Sequence, residues 1–164
     1  MNENEGLIDS FVQVREVLLL AADSVAPARR ETPFVGHWNL MDLLAHLIGW
    51  DYTNMNAIEE FKAGRVPDFY REYDPGWAAY NQQLINRYAA GDWDGLRESL
   101  RQSQVAVVDM MRLLTPEEIT REIAVAGRRR PVSIAGVLRA AIRDEREHLE
   151  QIRAFLDSQR LGGA

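Results

Sequence analysis

The sequence predicts an all-α protein: a four-helix bundle with a long crossover connection and short extra helices. Three observations support this prediction. Apolar residues recur at three- and four-residue spacing through four long segments, as in helices with one buried face. Caps, prolines and glycines mark the ends of these segments. No convincing pair of alternating strand segments lies between them, and four long helices usually pack as a bundle.

The first two helices follow from their apolar stripe and their end signals. A first helix is predicted over 7–26, where the stripe consists of Leu7, Phe11, Val14, Leu18 and Ala21. A second is predicted over 39–63. Asn39 is a suitable N-cap with Asp42 three positions on, a weaker relative of the capping box. Gly64 then stands where a left-handed C-terminal residue is expected.

The remaining segments complete the bundle. Residues 64–76, "GRVPDFYREYDPG", contain two prolines and two glycines and predict a long connection, which in a compact domain is often functional. A helix is predicted over 77–90 and a longer one over 94–114. A capping threonine followed by proline predicts a short helix at 115–119. A serine cap begins the last long helix, predicted over 133–158.

A short turn of three arginines, Arg128–Arg130, stands before the last helix. Its flanks, "REIAV" at 121–125 and "PVSI" at 131–134, could pair as a small hairpin. A solvated loop is the simplest interpretation of this basic run. The chain as a whole is acidic, with a net charge of -6, which argues against general affinity for nucleic acid or an anionic membrane.

Length and composition predict one domain, 1–164, of a cytoplasmic protein. The 164 residues lie within the usual size of a single domain. With no cysteine there is no disulfide framework, thiolate nucleophile or zinc finger. The N-terminus is acidic where a signal peptide is basic, and no apolar run approaches about 18 residues, the length that predicts a membrane span.

Polar residues occupy the buried faces of two predicted helices. In "RDEREHLEQI", residues 143–152, Glu145 and His148 fall on the same face as the apolar stripe around Ile152. His46 lies near the buried stripe of the second helix. Burying such groups without partners costs several kcal/mol. They must therefore satisfy one another, water or a metal, and hydrogen-bonded core residues are the simpler of these alternatives.

A divalent cation held by His46, Asp144 and His148 is the sharper hypothesis. Asp144 and His148 lie one helical turn apart, so both can bind the same ion. The set leaves coordination positions of that ion open for water or substrate. Glu145 is the candidate catalytic residue, which would orient a ligand or move a proton. Trp50 is expected to line a substrate pocket.

Two other features of the sequence carry less weight as functional sites. Glu145-x-x-His148 matches half of a di-iron motif, but the chain has no second Glu-x-x-His, so a dinuclear site is disfavoured. His37 precedes the second helix and is expected near the surface without a role.

Two stretches resemble the DinB/YfiT-like superfamily of putative metalloenzymes: "HWNLMDLLAHLIGWD" in the second helix and "DEREHLEQIRAF" in the last. The region between them is similar to the DfsB/ClbS-like branch, and the resemblance covers roughly 35–157. It implies a four-helix bundle, commonly a homodimer, with a three-histidine site for zinc, nickel or a similar metal. His46 and His148 match two of these histidines, and Asp144 stands in place of the third. Some branches have dispensed with the metal.

The resemblance implies a function as well as a fold. Members include transferases and isomerases that use a low-molecular-weight thiol, and a hydrolase that confers self-resistance. We therefore expect a metal-dependent enzyme acting on a small molecule, of thiol-dependent transferase or hydrolase type, in detoxification or stress response. A metal-free binding protein or hydrolase of ClbS-like type is the alternative, and a structural protein a third.

The resemblance and one helix both predict a homodimer. Three apolar residues lie off the main stripe of the helix predicted over 94–114, namely Val105, Val108 and Met110. A helix that is apolar on more than one side usually has two partners.

Overall fold

The structure, a computed structural model, describes residues 3–72 and 76–161, and within them the protein is all-α. A 3-10 turn, Pro27–Arg29, joins the first two helices. The helices are α1 (Glu3–Asp23), α2 (Leu40–Lys62), α3 (Phe69–Glu72), α4 (Trp77–Tyr88), α5 (Trp93–Arg112), α6 (Pro116–Thr120) and α7 (Ile134–Leu161). Beyond the helices, pairing in the described ranges is limited to two isolated antiparallel bridges, Val35 with Trp38 and Ile123 with Val132. The predicted fold class is confirmed.

Two apolar clusters lie at opposite ends of the bundle and define the helix directions. One joins the beginnings of α1 and α7 to the ends of α2 and α5; it includes Phe11, Ile58, Met111 and Leu138. The other joins the opposite ends of the same four helices; it includes Leu18, Leu44, Leu100 and Ile152. Therefore α1 and α7 run in one direction, and α2 and α5 run in the other.

This arrangement requires the long crossover. Because α2 and α5 are parallel, the chain between them must return along the length of the bundle. Residues 63–92 make this return, and α4 packs against α2 as part of it. Close packing there depends on Gly49, since a Cβ atom at that position would lie 2.6 Å from Leu84 Cβ.

The helix limits follow the predicted caps closely. Asn39 and Asp42 form a full capping box, in which each backbone N–H donates to the other side chain at 3.0 Å. Thr115 and Glu118 form a second capping box at the start of α6. The first helix begins earlier than predicted, at Glu3, and the buried Asn4 side chain donates to the Met111 carbonyl at 2.8 Å.

Two connections differ from, or refine, the sequence interpretation. The segment 64–76 contains a helical turn, α3, whose Phe69 is buried against the first apolar cluster; its residues 73–75 lie outside the described residues. Apolar burial there outweighs the turn-forming composition of the flanks. The predicted hairpin is a single bridge, closed by Ile123 N–H to the Val132 carbonyl at 2.8 Å and the reverse bond at 2.9 Å.

The off-stripe residues of α5 are not all available to a partner. Val108 is buried in the protein's own core, and Met110 packs against that core. Val105 is 58% exposed. No helix within the described residues has both the length and the apolar character needed to cross a membrane.

Candidate metal centre and its cavity

Three side chains predicted as metal ligands come together between α2 and α7. His46 Nε2 lies 3.3 Å from Asp144 Oδ2, and His148 Nε2 lies 3.5 Å from the same oxygen. The two imidazole centroids are 5.1 Å apart. Both histidines are buried, whereas the Asp144 side chain is 44% exposed. One ligand atom from each residue lies within 4.8 Å of the others.

These distances suit a small divalent cation. Ligand atoms about 2.0–2.2 Å from a tetrahedral ion lie about 3.4 Å from one another. The two nitrogen–oxygen separations, 3.3 and 3.5 Å, are close to that edge length. The set of two imidazoles and one carboxylate is also one that zinc, nickel and related metals accept. The residues therefore fit a bound metal.

The orientation of His148 leaves one of its ring nitrogens free to bind a metal ion. Its Nδ1 lies 2.7 Å from Gln151 Oε1, one helical turn further along α7. Since an amide oxygen only accepts, Nδ1 carries the proton and Nε2 carries the lone pair. Nε2 is buried without a hydrogen-bond partner, as is Nδ1 of His46. An outer residue that fixes the tautomer of a metal-ligating histidine is the usual arrangement around such ligands.

The pKa values of the two imidazoles are shifted in opposite directions, although Asp144 acts to raise both. Burial lowers the pKa of His46, against the opposing effect of its hydrogen bond to Asp144. Burial also acts to lower the pKa of His148, but Asp144, Gln151 and Glu145 together raise it above the ordinary value. For Asp144 itself, burial favours the neutral form, yet the two imidazoles hold its pKa well below the usual range.

A buried polar layer crosses the bundle beside this centre and separates the two apolar clusters. Its middle is Arg15 of α1, which donates to Glu145 Oε1 at 2.6 Å and Oε2 at 2.8 Å. The same guanidinium donates to both oxygens of Asp51, at 3.0 and 3.1 Å, and to the Leu100 carbonyl at 3.2 Å. Ser103 of α5 donates to Asp51 at 2.5 Å. All four long helices therefore contribute to one network.

The network places more carboxyl groups than guanidinium groups at the polar centre. Burial works against the charged form of Arg15, but Asp51 and Glu145 more than compensate and raise its pKa. Burial raises the pKa of Glu145, while Arg15 acts to lower it. One guanidinium faces two carboxylates, and Asp144 lies beside them. With all of these ionised, a divalent cation would balance the remaining charge.

A cavity of about 1000 Å³ opens onto the centre. His46, Asp144 and Glu145 are among its lining residues, as is Trp50. Trp50 lies within an aromatic wall, with ring centroids 6.3 Å from His46 and 5.8 Å from Trp77. Its Nε1–H donates to Asn81 Oδ1 at 3.0 Å. The predicted substrate-pocket residue thus lines the cavity that reaches His46 and Asp144.

Glu145, the predicted catalytic residue, borders the cavity, but both of its oxygens are held by Arg15. Its catalytic role stays a prediction. His37 lies outside the cavity lining and is 3.0 Å from Gln82 Oε1.

Sequence reasoning missed the residues that support the centre. Arg15 and Asp51 both lie on the buried stripes of their helices, at positions where polarity is itself a signal. Gln151 was detectable as the residue three positions after His148. Trp38 also lies beside the centre, with its ring centroid 5.0 Å from that of His46.

The sequence and the fold have recognisable relatives. Residues 10–152 match the family model of the DinB superfamily. The structure resembles the crystal structure of an uncharacterised protein from Clostridium difficile 630, with a TM-score of 0.76 and 15% sequence identity, over 94% of this chain and 95% of that one. At this identity the likeness concerns the fold. No curated protein matches the sequence.

Proposed function

The chain belongs to the DinB superfamily, and we propose that it is a metal-dependent enzyme acting on a small molecule. The observation that carries this proposal is the convergence of His46 Nε2 and His148 Nε2 on one oxygen of Asp144, beside a cavity lined by His46 and Asp144. An unpaired buried polar atom is costly, and a cation bound by His46 Nε2, Asp144 and His148 Nε2 would satisfy the buried Nε2 of His148, which has no hydrogen-bond partner. The proposed reaction is a thiol-dependent transfer or a hydrolysis, in detoxification or stress response within the cytoplasm.

Different side chains of the protein would have different roles in the proposed reaction. His46, Asp144 and His148 would hold the cation, which supplies Lewis acidity and lowers the pKa of a water or thiol nucleophile. Gln151 keeps the lone pair of His148 on Nε2. Glu145 was predicted to orient a ligand or to move a proton, and its two bonds to Arg15 favour the orienting role. Trp50 lines the cavity in which substrate would lie.

Metal uptake tests the proposal directly. Untagged protein, stripped with chelator and dialysed against zinc, nickel or manganese, should retain about one equivalent of at least one of these metals. His46→Ala and His148→Ala should each lose most of it. His37→Ala is the matched control, because His37 lies outside the cavity lining and should leave uptake unchanged. Uptake below about a tenth of an equivalent, or equal loss in the control, would contradict the metal centre.

A metal-free function of ClbS-like type is the second candidate. The hydrogen bond from His46 to Asp144, at 3.3 Å, favours it, because this pair can satisfy part of the cluster without an ion. In that case the cavity would bind or hydrolyse a small molecule directly. Absence of metal uptake, together with loss of small-molecule binding in His46→Ala, would select this candidate.

A homodimer is part of the proposal. Its structural support within the described residues is the exposed Val105 on α5, since Val108 serves the protein's own core. Sedimentation over a concentration series should show a species of about twice the 18.7 kDa chain mass. A single 18.7 kDa species throughout the series would reject the dimer.

A further inference from the structure

The cavity has ends of opposite charge. One end is lined by four acidic residues, two arginines and His46; the charged residues are Asp51, Asp144, Glu145 and Glu147 with Arg15 and Arg143, so the acidic groups are in excess there. Away from them, the turn before α7 contributes the consecutive arginines Arg128–Arg130 to the lining. All three arginines are exposed. A single cavity therefore reaches both the candidate metal centre and a concentrated positive charge.

Within the described residues, these arginines have no carboxylate partner, unlike several arginines elsewhere in the protein. Arg15 and Arg97, for example, form ion pairs with Glu145 at 2.6 Å and Asp23 at 2.7 Å. Within the described parts of the chain, Arg129 and Arg130 form no ion pair, although the protein has 25 acidic residues against 19 basic ones.

Arg128 is held differently from the other two. Its guanidinium lies 4.9 Å from the centre of the Tyr70 ring, which anchors this side of the turn. The guanidinium groups of Arg129 and Arg130 are thus available to bind an anionic ligand at the rim of the cavity.

On the α7 side, small side chains make up much of the lining between the two ends. Along α7, residues at successive turns contribute to it: Ser133, Gly136, Ala140 and Asp144. Ser133 is occupied at the helix start, where its Oγ accepts from Gly136 N–H at 3.2 Å. At 1.5 Å per residue, this stretch of helix spans about 16 Å. Space of that length, open along one helix, suits an extended ligand rather than a compact ion.

We propose that the substrate is an elongated small molecule with a carboxylate or phosphate at one end, bound by Arg129 and Arg130. The guanidinium fork matches both of these oxyanions and can bind them through paired hydrogen bonds. The apolar middle of the molecule would lie along Trp50 and Trp77. This inference rests on the proposed function only in placing the reacting end beside His46 and Asp144.

Two dyes that differ in one charged group test the inference. The first is 8-anilinonaphthalene-1-sulfonate, and the second is N-phenyl-1-naphthylamine, which has the same rings without the sulfonate. Arg129→Gln/Arg130→Gln should weaken binding of the anionic dye by roughly tenfold or more, since hydrogen bonds to charged groups are lost. It should leave binding of the neutral dye unchanged. Both substitutions are at exposed positions and should preserve the fold.

The matched control is Arg121→Gln/Arg146→Gln. It removes the same charge from two exposed positions outside the cavity lining, so it should bind both dyes as the unaltered protein does. Equal loss in this control would overturn the proposal, because net charge would then explain the effect. Unchanged anionic-dye binding in Arg129→Gln/Arg130→Gln would overturn it as well, and so would equal loss of both dyes.

Competition identifies the oxyanion. Displacement of the anionic dye by inorganic phosphate but not by glutarate assigns the rim to a phosphate group, and the reverse result assigns it to a carboxylate. Displacement by neither overturns the proposal. Parallel measurements separate this inference from the metal centre: arginine-dependent dye binding by unaltered protein that takes up no metal would reject the proposed metal function and leave the anion site standing.

Discussion

At the scale of single residues, Asp144 is the side chain on which the candidate centre depends. One of its oxygens lies within 3.5 Å of both histidine Nε2 atoms. A carboxylate in this position adds negative charge where the resemblance implies a third imidazole. It also remains half exposed, so its oxygens are accessible from the cavity. The identity of this residue should therefore influence both the affinity for metal and the choice of metal.

Asp144→His should raise the affinity for nickel and zinc. Neutral imidazole suits these ions well, and the change would complete a set of three with His46 and His148. Calorimetric titration of chelator-stripped protein should show a dissociation constant lower by roughly tenfold or more. Asp157→His is the control, because Asp157 lies on the same helix but outside the cavity lining. An unchanged or weaker affinity in Asp144→His would contradict the prediction.

The meeting of His46, Asp144 and His148 could be predicted from the sequence, but the buried ion-pair network beside them could not. His46 and His148 stand out because each interrupts the apolar stripe of a helix. Arg15 does so too, four residues after Phe11 and three before Leu18. Its partners, however, lie 36 and 130 positions away along the chain. No local spacing rule links such distant groups, so only the packed fold reveals that they meet.

At the scale of elements, the polar layer sets how the four long helices align. The apolar clusters on either side of it are non-directional and would tolerate sliding of one helix along another. Arg15 removes that freedom, because its N–H groups donate at 2.6–3.2 Å to acceptors on three other helices. We infer that the layer holds α2 and α7 at the relative height that brings His46 beside His148.

Arg15→Met should destabilise the protein strongly. The substitution leaves Asp51 and Glu145 buried without their counter-ion, and breaking a buried pair in this way costs about 3–5 kcal/mol. Urea unfolding followed by circular dichroism would measure the loss. Arg97→Met is the control: Arg97 and its partner Asp23 are about one-third exposed, so about 0–1 kcal/mol is expected. Comparable losses in the two variants would contradict this account of the layer.

The limits of the elements were predictable wherever a cap is local. Asn39 with Asp42 and Thr115 with Glu118 begin α2 and α6 by reciprocal bonds over three residues, so spacing alone reveals them. The short helix α3 was not predictable in this way. It depends on burial of Phe69 against the distant core, which the glycines and prolines around it do not indicate.

At the scale of the whole molecule, metal binding and folding should be coupled. His46 and Asp144 are separated by 98 positions, so the unfolded chain does not hold the ligands together. A metal that binds only the folded protein stabilises it by about 2.7 kcal/mol at a concentration one hundred times the dissociation constant. The thermal midpoint should therefore rise with added metal, and His46→Ala should abolish the rise.

The metal-dependent stabilisation should decline as the pH falls from about 7.5 to about 5.5, where imidazoles take up protons in competition with the cation. Because the pKa of His148 is raised, this competition begins above the ordinary histidine range. In the metal-free protein the two histidines have opposite effects on the pH dependence of stability. His148 contributes stability at low pH that is lost as the pH rises through its raised pKa.

His46, whose pKa is lowered, acts in the other direction: its neutral form is favoured in the folded protein, so stability is lost as the pH falls below the unfolded-state pKa. The metal-free protein should therefore show a shallow pH dependence and the metal-loaded protein a steep rise with pH. Thermal unfolding at a series of pH values, with and without metal, measures both slopes. Parallel slopes would mean that these imidazoles do not bind the ion, whatever metal the purified protein contains.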